Sequence, residues 1–288
     1  MKLLRSVFVT LFIAYSFAIM LSGASALLTG TGPRLLTLGM FLSGAGPALF
    51  FLLAFTKPKA RTSSHPLGYS LICGLGVAIT MSQSWKFGTV AGSAHLWSGA
   101  CLAGWMIYLK WYSVFDRRQQ HQLKVGTSLP EFSLLTQDGK PITSENLRGK
   151  SHILLFYRGN WCPFCTAQIQ ELAAQYQQVA ELGAEIVLIS SQPRHEHRKL
   201  AERFDLPMTL LRDPDNSAAN NLGILQSWGT PFGLQLFGYP SDNSQPAVIV
   251  TDPQGQILWY QLAENYRIRA EPATYLDVLR KFQATTNT

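Results

Sequence analysis

The first 115 residues contain no aspartate or glutamate. Their only charged residues are Lys2, Arg5, Arg34, Lys57, Lys59, Arg61, Lys86 and Lys110. Such a stretch lacks the mixed-sign surface of a water-soluble domain, and it excludes carboxylate chemistry from this part of the chain. The rest holds 16 basic residues against all 17 acidic ones. The net charge of +7 therefore belongs to the acid-free part, and no nucleic-acid partner is expected. Cysteine is also scarce. Four in 288 residues exclude a disulfide framework. A second Cys-x-x-Cys and a zinc-type histidine pair are both missing, so no metal and no other cofactor is called for. His195 and His197 lie on a segment that reads as a charged, solvated helix. Internal repeats and low-complexity tracts are absent.

What the acid-free part does have is four apolar stretches, at 7–28, 35–56, 67–84 and 91–112. Each is near the ~20 residues that span a bilayer. The third is the weakest, being Gly-rich and ending in Ser82-Gln83-Ser84. Ala24-Ser25-Ala26 has the form of a signal-peptide cleavage site, but the first stretch is longer than the ~7–15-residue core of a signal peptide and reads as an uncleaved anchor. The lipid bilayer is thus an expected partner. With the N-terminus inside, the inner side collects Lys2, Arg5, Lys57, Lys59, Arg61, Lys110, Arg117, Arg118 and Lys124; the outer side keeps Arg34 and Lys86. The positive-inside rule predicts a multi-pass protein of the inner (plasma) membrane with both termini in the cytoplasm. Failure of one span to insert would give the periplasmic, extracytoplasmic alternative. The expected domains are a helical membrane region at 1–115, a connector at 116–124 and a soluble domain at 125–288.

In the soluble part, 131–135 and 140–142 predict a small hairpin around Gln137-Asp138-Gly139, and 146–150 a turn. The apolar run 152–158 suits a strand buried on both faces. Helices are expected at 163–182, 194–204, 214–222 and 272–282, and strands at 185–190, 208–211, 247–251 and 256–261. Alternating βαβ units followed by a hairpin and a helix give an α/β class, a mixed sheet covered by helices.

Trp161-Cys162-Pro163-Phe164-Cys165 stands between the buried strand and the first of these helices. Unpaired N–H groups and the dipole at a helix N-terminus favour a thiolate. One cysteine then serves as nucleophile at neutral pH, and the other resolves what the first has formed. The other two cysteines, Cys73 and Cys101, fall in the third and fourth apolar stretches and read as small packing residues; the alternative is an electron relay across the bilayer. His95 reads as interfacial or hydrogen-bonded, the alternative being a haem or quinone ligand. Gly99 with Ala103 and Ala100 with Gly104 suit close helix packing. Trp228, Phe232, Leu234 and Phe237 lie in a Gly-rich insertion that reads equally as core, as a rim over the site or as a bilayer contact.

Taken in order, Val125-Gly-Thr-Ser-Leu-Pro-Glu-Phe132, Leu147-Arg-Gly-Lys150, Trp161–Cys165, Leu211-Arg-Asp-Pro-Asp215 and Pro246-Ala-Val-Ile-Val-Thr-Asp-Pro-Gln-Gly255 resemble the thioredoxin superfamily, in its AhpC/TSA peroxiredoxin, redoxin and TlpA-like branch. The resemblance covers about 125–282 and implies a thioredoxin-like fold. It implies thiol–disulfide exchange, with Cys162 attacking, Cys165 resolving, Trp161 shielding the pair, Pro163 opening the helix, and Pro246 packing beside the pair and, if cis, presenting the Gln245 backbone to substrate. The peroxiredoxin motif, Pro-x-x-x-Thr/Ser-x-x-Cys, instead puts Arg158 at the Pro position, Cys162 at the Thr position and Cys165 as the peroxide-reactive thiol. Where that branch has an arginine before the late strand, this chain has Ser244-Gln245-Pro246, and Arg158 is the candidate cation. The implied substrates are a protein disulfide or a peroxide, with a thioredoxin- or glutathione-type thiol donor. A redox sensor acting on a membrane partner is the non-enzymatic alternative.

Overall fold

A computed structural model describes residues 2–87, 93–115, 120–204 and 207–286. Part of the fourth apolar stretch and of the connector, including Arg117 and Arg118, lies outside the described residues. The chain divides into two compact units. One comprises Val7–Pro58 and Thr62–Val114; the other comprises Met1–Ser6, Lys59–Arg61 and Phe115–Thr288.

The first unit is helical. Its helices are α1 (Lys2–Thr29), which enters it from Val7 onward, α2 (Arg34–Thr56), α3 (Leu67–Phe87) and α4 (Ala94–Ile107), and α4 runs on into a π-helical turn, Tyr108–Tyr112. They are apolar on most faces because nothing in the sequence supplies a polar stripe. α1, α2 and α3 are long and apolar enough to cross a membrane. α4 has only 14 residues before its π turn. Phe12, Phe50, Phe51, Trp105 and Tyr108 form a ring cluster, with Phe51 edge-on to Tyr108 at 4.9 Å and Trp105 stacked on it at 5.4 Å. Backbones approach closely at Gly76, where a Cβ would stand 2.3 Å from the Ser43 nitrogen. Of the small residues in α4, Gly104 lies against the Phe12 ring, whereas Gly99 faces open space.

The second unit is built on a seven-stranded sheet. Its strands are β1 (Ser133–Leu135), β2 (Pro141–Thr143), β3 (Ser151–Phe156), β4 (Ala184–Ser190), β5 (Thr209–Arg212), β8 (Ala247–Thr251) and β9 (Ile257–Leu262), in the order β2-β1-β5-β4-β3-β8-β9. β6 (Leu225–Gln226) and β7 (Asn243–Ser244) form a separate short pair. β3 is central. It runs parallel to β4 and antiparallel to β8, and all six of its residues are buried. That burial is why its sequence is a continuous apolar run without alternation. Leu154 and Phe156 pack with Phe132, Val187, Ile189, Leu211, Leu222 and Ile249 in one core. Helices α5 (Pro163–Ala173), α6 (Tyr176–Glu181), α7 (Arg194–Phe204), α8 (Ser217–Asn221) and α9 (Pro272–Thr286) complete the unit. This unit is an α/β architecture, a mixed sheet flanked by helices, as the alternating elements predict.

Several expectations need correction. The helix expected at 163–182 breaks after Ala173 into α5 and α6. The turn expected at 146–150 is present at 148–150, with Gly149 at φ 102°, and is preceded by a 3-10 turn at Ser144–Leu147 closed by reciprocal bonds between Thr143 and Asn146. The helix expected at 214–222 begins at Ser217, because the buried Asp213 carboxylate accepts the N–H groups of Ala218 and Ala219 at 3.1 and 2.9 Å. His197 is not solvated. It is fully buried in α7, with Nε2 3.0 Å from Ser190 Oγ.

Candidate active site

The site forms where β3 ends. Tyr157 continues the strand by donating its N–H to the Ile189 carbonyl at 3.0 Å. Gly159 then turns the chain at φ 144°, and a Cβ there would stand 2.6 Å from Trp161 Nε1. Only glycine meets both conditions. The Asn160 N–H is held by Gln192 Oε1 at 2.8 Å, and Gln192 in turn donates to the Tyr157 hydroxyl at 3.1 Å. Asn160 also donates to the Glu196 carboxylate and accepts from the Tyr239 hydroxyl. The turn carrying the thiols is thereby pinned from three sides.

Cys162 is the extended residue that caps α5, and Pro163 occupies the first helical position, where a missing N–H costs nothing. The Cys162 carbonyl accepts from Cys165 and Thr166 at 3.0 and 3.1 Å. Both cysteines are free thiols and almost fully buried. Burial pushes the Cys162 thiol up. A hydrogen bond from Cys165, the guanidinium charges of Arg158 and Arg269, and the Cys165 peptide N–H outweigh it and hold Cys162 at about 5. Cys165 moves the other way, raised by burial, by its hydrogen bond to Cys162 and by the Cys162 charge. The two shifts run in opposite directions, favouring the charge on Cys162 and the proton on Cys165.

Arg269 is the residue that sequence reasoning missed. Its Nη2 lies 3.5 Å from Cys165 Sγ, and its Nε and Nη1 are buried without a hydrogen-bond partner. It sits between β9 and α9, about a hundred positions from the cysteines. The only sequence signal was the Arg267-Ile268-Arg269 alternation just before α9. Arg158, the expected cation, is present as well. Its guanidinium lies over the rings of Trp161 at 4.7 Å and Tyr266 at 5.0 Å, and it donates to the Gly229 carbonyl. Trp161 is half-buried, and its Nε1 has no hydrogen-bond partner.

Gln245 and Pro246 do not take the arrangement expected of them. No cis peptide occurs among the described residues. The Gln245 N–H is already bonded to the Ile224 carbonyl at 2.7 Å, and its side chain donates to Ala263 O at 2.9 Å. The Gln245 N–H is therefore already taken by the fold. Pro246 lines a small cavity with Gln168, Ala263 and Arg269. The aromatic insertion is not core, since Trp228, Phe232 and Phe237 are exposed. Among the described residues no cluster of His, Cys, Asp or Glu is arranged to hold a metal ion.

Residues 125–260 match the profile of the AhpC/TSA family. Among curated proteins, the chain is 31% identical over 157 residues to the chloroplastic peroxiredoxin Q of Gentiana triflora, covering 54% of this chain and 65% of that one. It is 33% identical over 113 residues to that of Sedum lineare, covering 39% and 56%. The chain thus spans between about half and two thirds of the length of these relatives. Among solved structures it is similar to the peroxidoxin BcpB of Mycobacterium tuberculosis, at 24% identity and TM-score 0.47, over 56% of this chain and 98% of that one. It is also similar to reduced Prx3 of Vibrio vulnificus, at 18% identity and TM-score 0.48, over 55% and 99%.

Proposed function

From an AhpC/TSA peroxiredoxin-like domain of the thioredoxin superfamily, we propose a thiol peroxidase that works through the Cys162–Cys165 dithiol. The observation that carries this reading is a buried dithiol at the start of α5 with the Arg269 guanidinium 3.5 Å from Cys165 Sγ and the Arg158 guanidinium over the neighbouring Trp161 ring. The Cys162 thiolate attacks the terminal oxygen of a hydroperoxide. The O–O bond breaks, the sulfur becomes a sulfenic acid, and the leaving alkoxide or hydroxide takes a proton. The unpartnered donors of Arg269 suit that developing charge. Cys165 then attacks the sulfenic sulfur, water leaves and a disulfide remains. A thioredoxin- or glutathione-type donor returns the dithiol.

Two observations favour a second reading each. The CxxC at the start of α5 suits direct exchange with a protein disulfide, with no peroxide consumed. The Arg269–Cys165 contact suits attack by Cys165 instead. One experiment separates all three. The reduced full chain, in detergent, is mixed rapidly with hydrogen peroxide, an organic hydroperoxide or a disulfide, and tryptophan fluorescence is followed, with Cys162→Ser and Cys165→Ser in parallel. Fast peroxide oxidation that survives in Cys165→Ser as a sulfenic acid, and is absent in Cys162→Ser, supports the proposal. The reverse assigns Cys165. Slow peroxide reaction with fast disulfide exchange overturns the peroxidase.

We further propose that α1 to α4 anchor the chain in the inner membrane, with the redox domain in the cytoplasm. The apolar length of α1, α2 and α3 and the distribution of basic residues support this. A C-terminal reporter active only outside the cytoplasm would refute it.

A further inference from the structure

Residues 216–241 contain no acidic or basic side chain. Within them a loop turns apolar groups outward. Gly233 at φ 101° and Gly238 at φ 84° bracket a 3-10 turn, Leu234–Phe237, on which Leu236 and Phe237 are 89% and 67% exposed. Trp228 and Phe232, just before that turn, are exposed as well. Large apolar side chains gathered on one uncharged, exposed loop mark an interaction surface. The loop is fastened to the start of α1. Ser6 Oγ donates to the Thr230 carbonyl at 2.6 Å, the Phe232 N–H donates to the Ser6 carbonyl at 3.1 Å, and Lys2 Nζ donates to Ser227 Oγ at 3.3 Å. These first residues of α1 and the loop belong to the same compact unit.

We propose that the 228–237 loop docks into the interfacial layer of the lipid bilayer, with its aromatic and leucine side chains among the headgroups and upper acyl chains. The proposal rests on the reading of α1 as a membrane span and is independent of the peroxidase reading. α1 has 28 residues, and a ~30 Å hydrocarbon core takes about 20 of them, so about two turns remain for the headgroup layer. The apolar stretch starts at Val7, which puts Lys2 to Ser6 in that layer. A loop bonded to Ser6 is then held at the same depth. Its chemistry fits the place. Tryptophan, phenylalanine and leucine settle at a membrane–water interface, and a loop without carboxylates meets no repulsion from anionic lipid. Lys2 and Arg5 supply the positive charge that matches anionic headgroups. The bonds to the start of α1 favour lipid over a second copy or another protein, because neither of those requires the loop to be fastened at a membrane span.

The test uses the full chain in vesicles of phosphatidylcholine and phosphatidylglycerol. The photoreactive residue p-benzoylphenylalanine replaces Phe237, or Leu21 within the apolar stretch of α1, or the exposed Lys140 beside β2. After irradiation the chain is digested, and mass mapping locates the adducts. Lipid is expected on the peptides carrying positions 237 and 21, and none on the peptide carrying position 140. Lipid at 21 without lipid at 237 overturns the proposal and leaves the span standing, whether position 237 is unlinked or joined to a second chain. Equal lipid labelling at 237 and 140 overturns it as well, because the loop then has no preference over the rest of the surface. No lipid at 21 refutes the span, and the proposal with it. Phe237 is exposed, so its replacement leaves the fold intact, which circular dichroism checks; Leu236 is the second position should that variant misfold.

Discussion

The two cysteine pairs put the same chemical group in opposite settings. Cys162 and Cys165 sit at a helix start with guanidinium groups at hand. Cys73 and Cys101 sit among helices with a backbone carbonyl as acceptor. Both pairs are almost fully buried, so burial does not distinguish them. Charge does. An arginine beside a buried sulfur favours the thiolate, whereas a carbonyl accepting the S–H favours the thiol. On the proposed function the first pair is thus placed for nucleophilic attack, whereas the Cys101 S–H is committed to a backbone carbonyl.

The largest expected effect is the loss of the nucleophile. Cys162→Ser lowers the peroxide oxidation rate at pH 7 by about a thousandfold or more, because serine supplies no thiolate at that pH; rapid-mixing fluorescence measures it. Next comes the contrast between pairs. In the folded, reduced protein Cys162 is alkylated by a small apolar maleimide on the order of a hundred times faster than Cys101, read by mass mapping at short times. Equal rates would break the comparison. Arg269→Met removes from the first pair a cation whose free donors face the developing charge, and slows peroxide oxidation at pH 7 by at least about tenfold through loss of that stabilisation, because a thiol still well below 7 stays ionised there. The same variant shifts the pH profile. In the parent the rate is flat down to about pH 5, where Cys162 gains its proton, and falls below it; in Arg269→Met the fall starts at higher pH.

The smallest effect is on stability and separates the folded scaffold from the site. Burial, with the charge of Arg212, lowers His197 to about 4. The unfolded chain takes up this proton near pH 6.5 and the folded one does not. The stability His197 permits is therefore complete above pH 6.5 and is lost as pH falls towards 4, by up to about 3 kcal/mol. Denaturant titrations of the parent and of His197→Gln should differ in slope over that window and run parallel above it.

The sequence carried the sheet's central strands, because a strand buried on both faces is a continuous apolar run, and β3, β4 and β8 all have that form. It carried the thiol turn, because Gly159, the cysteines and Pro163 each meet a local geometric need. Arg269 was not legible. Its role depends on β9 and the following loop returning to the start of α5, and no local pattern encodes that return. His197 was misread for a related reason: a charged helix has one inward face, and only the packing of α7 against β4 selects it. The commitment of the Gln245 N–H to Ile224 was likewise invisible without coordinates.

The insertion at 227–240 has two grips on the thiol turn. The Gly229 carbonyl holds Arg158, and the Tyr239 hydroxyl holds Asn160. Between them Phe232, Leu236 and Phe237 stand out in the open. The same short stretch of chain that carries these aromatic tips thus also supplies the carbonyl that positions the Arg158 cation and the hydroxyl that positions Asn160, so part of the setting of the thiol turn is built from a surface loop.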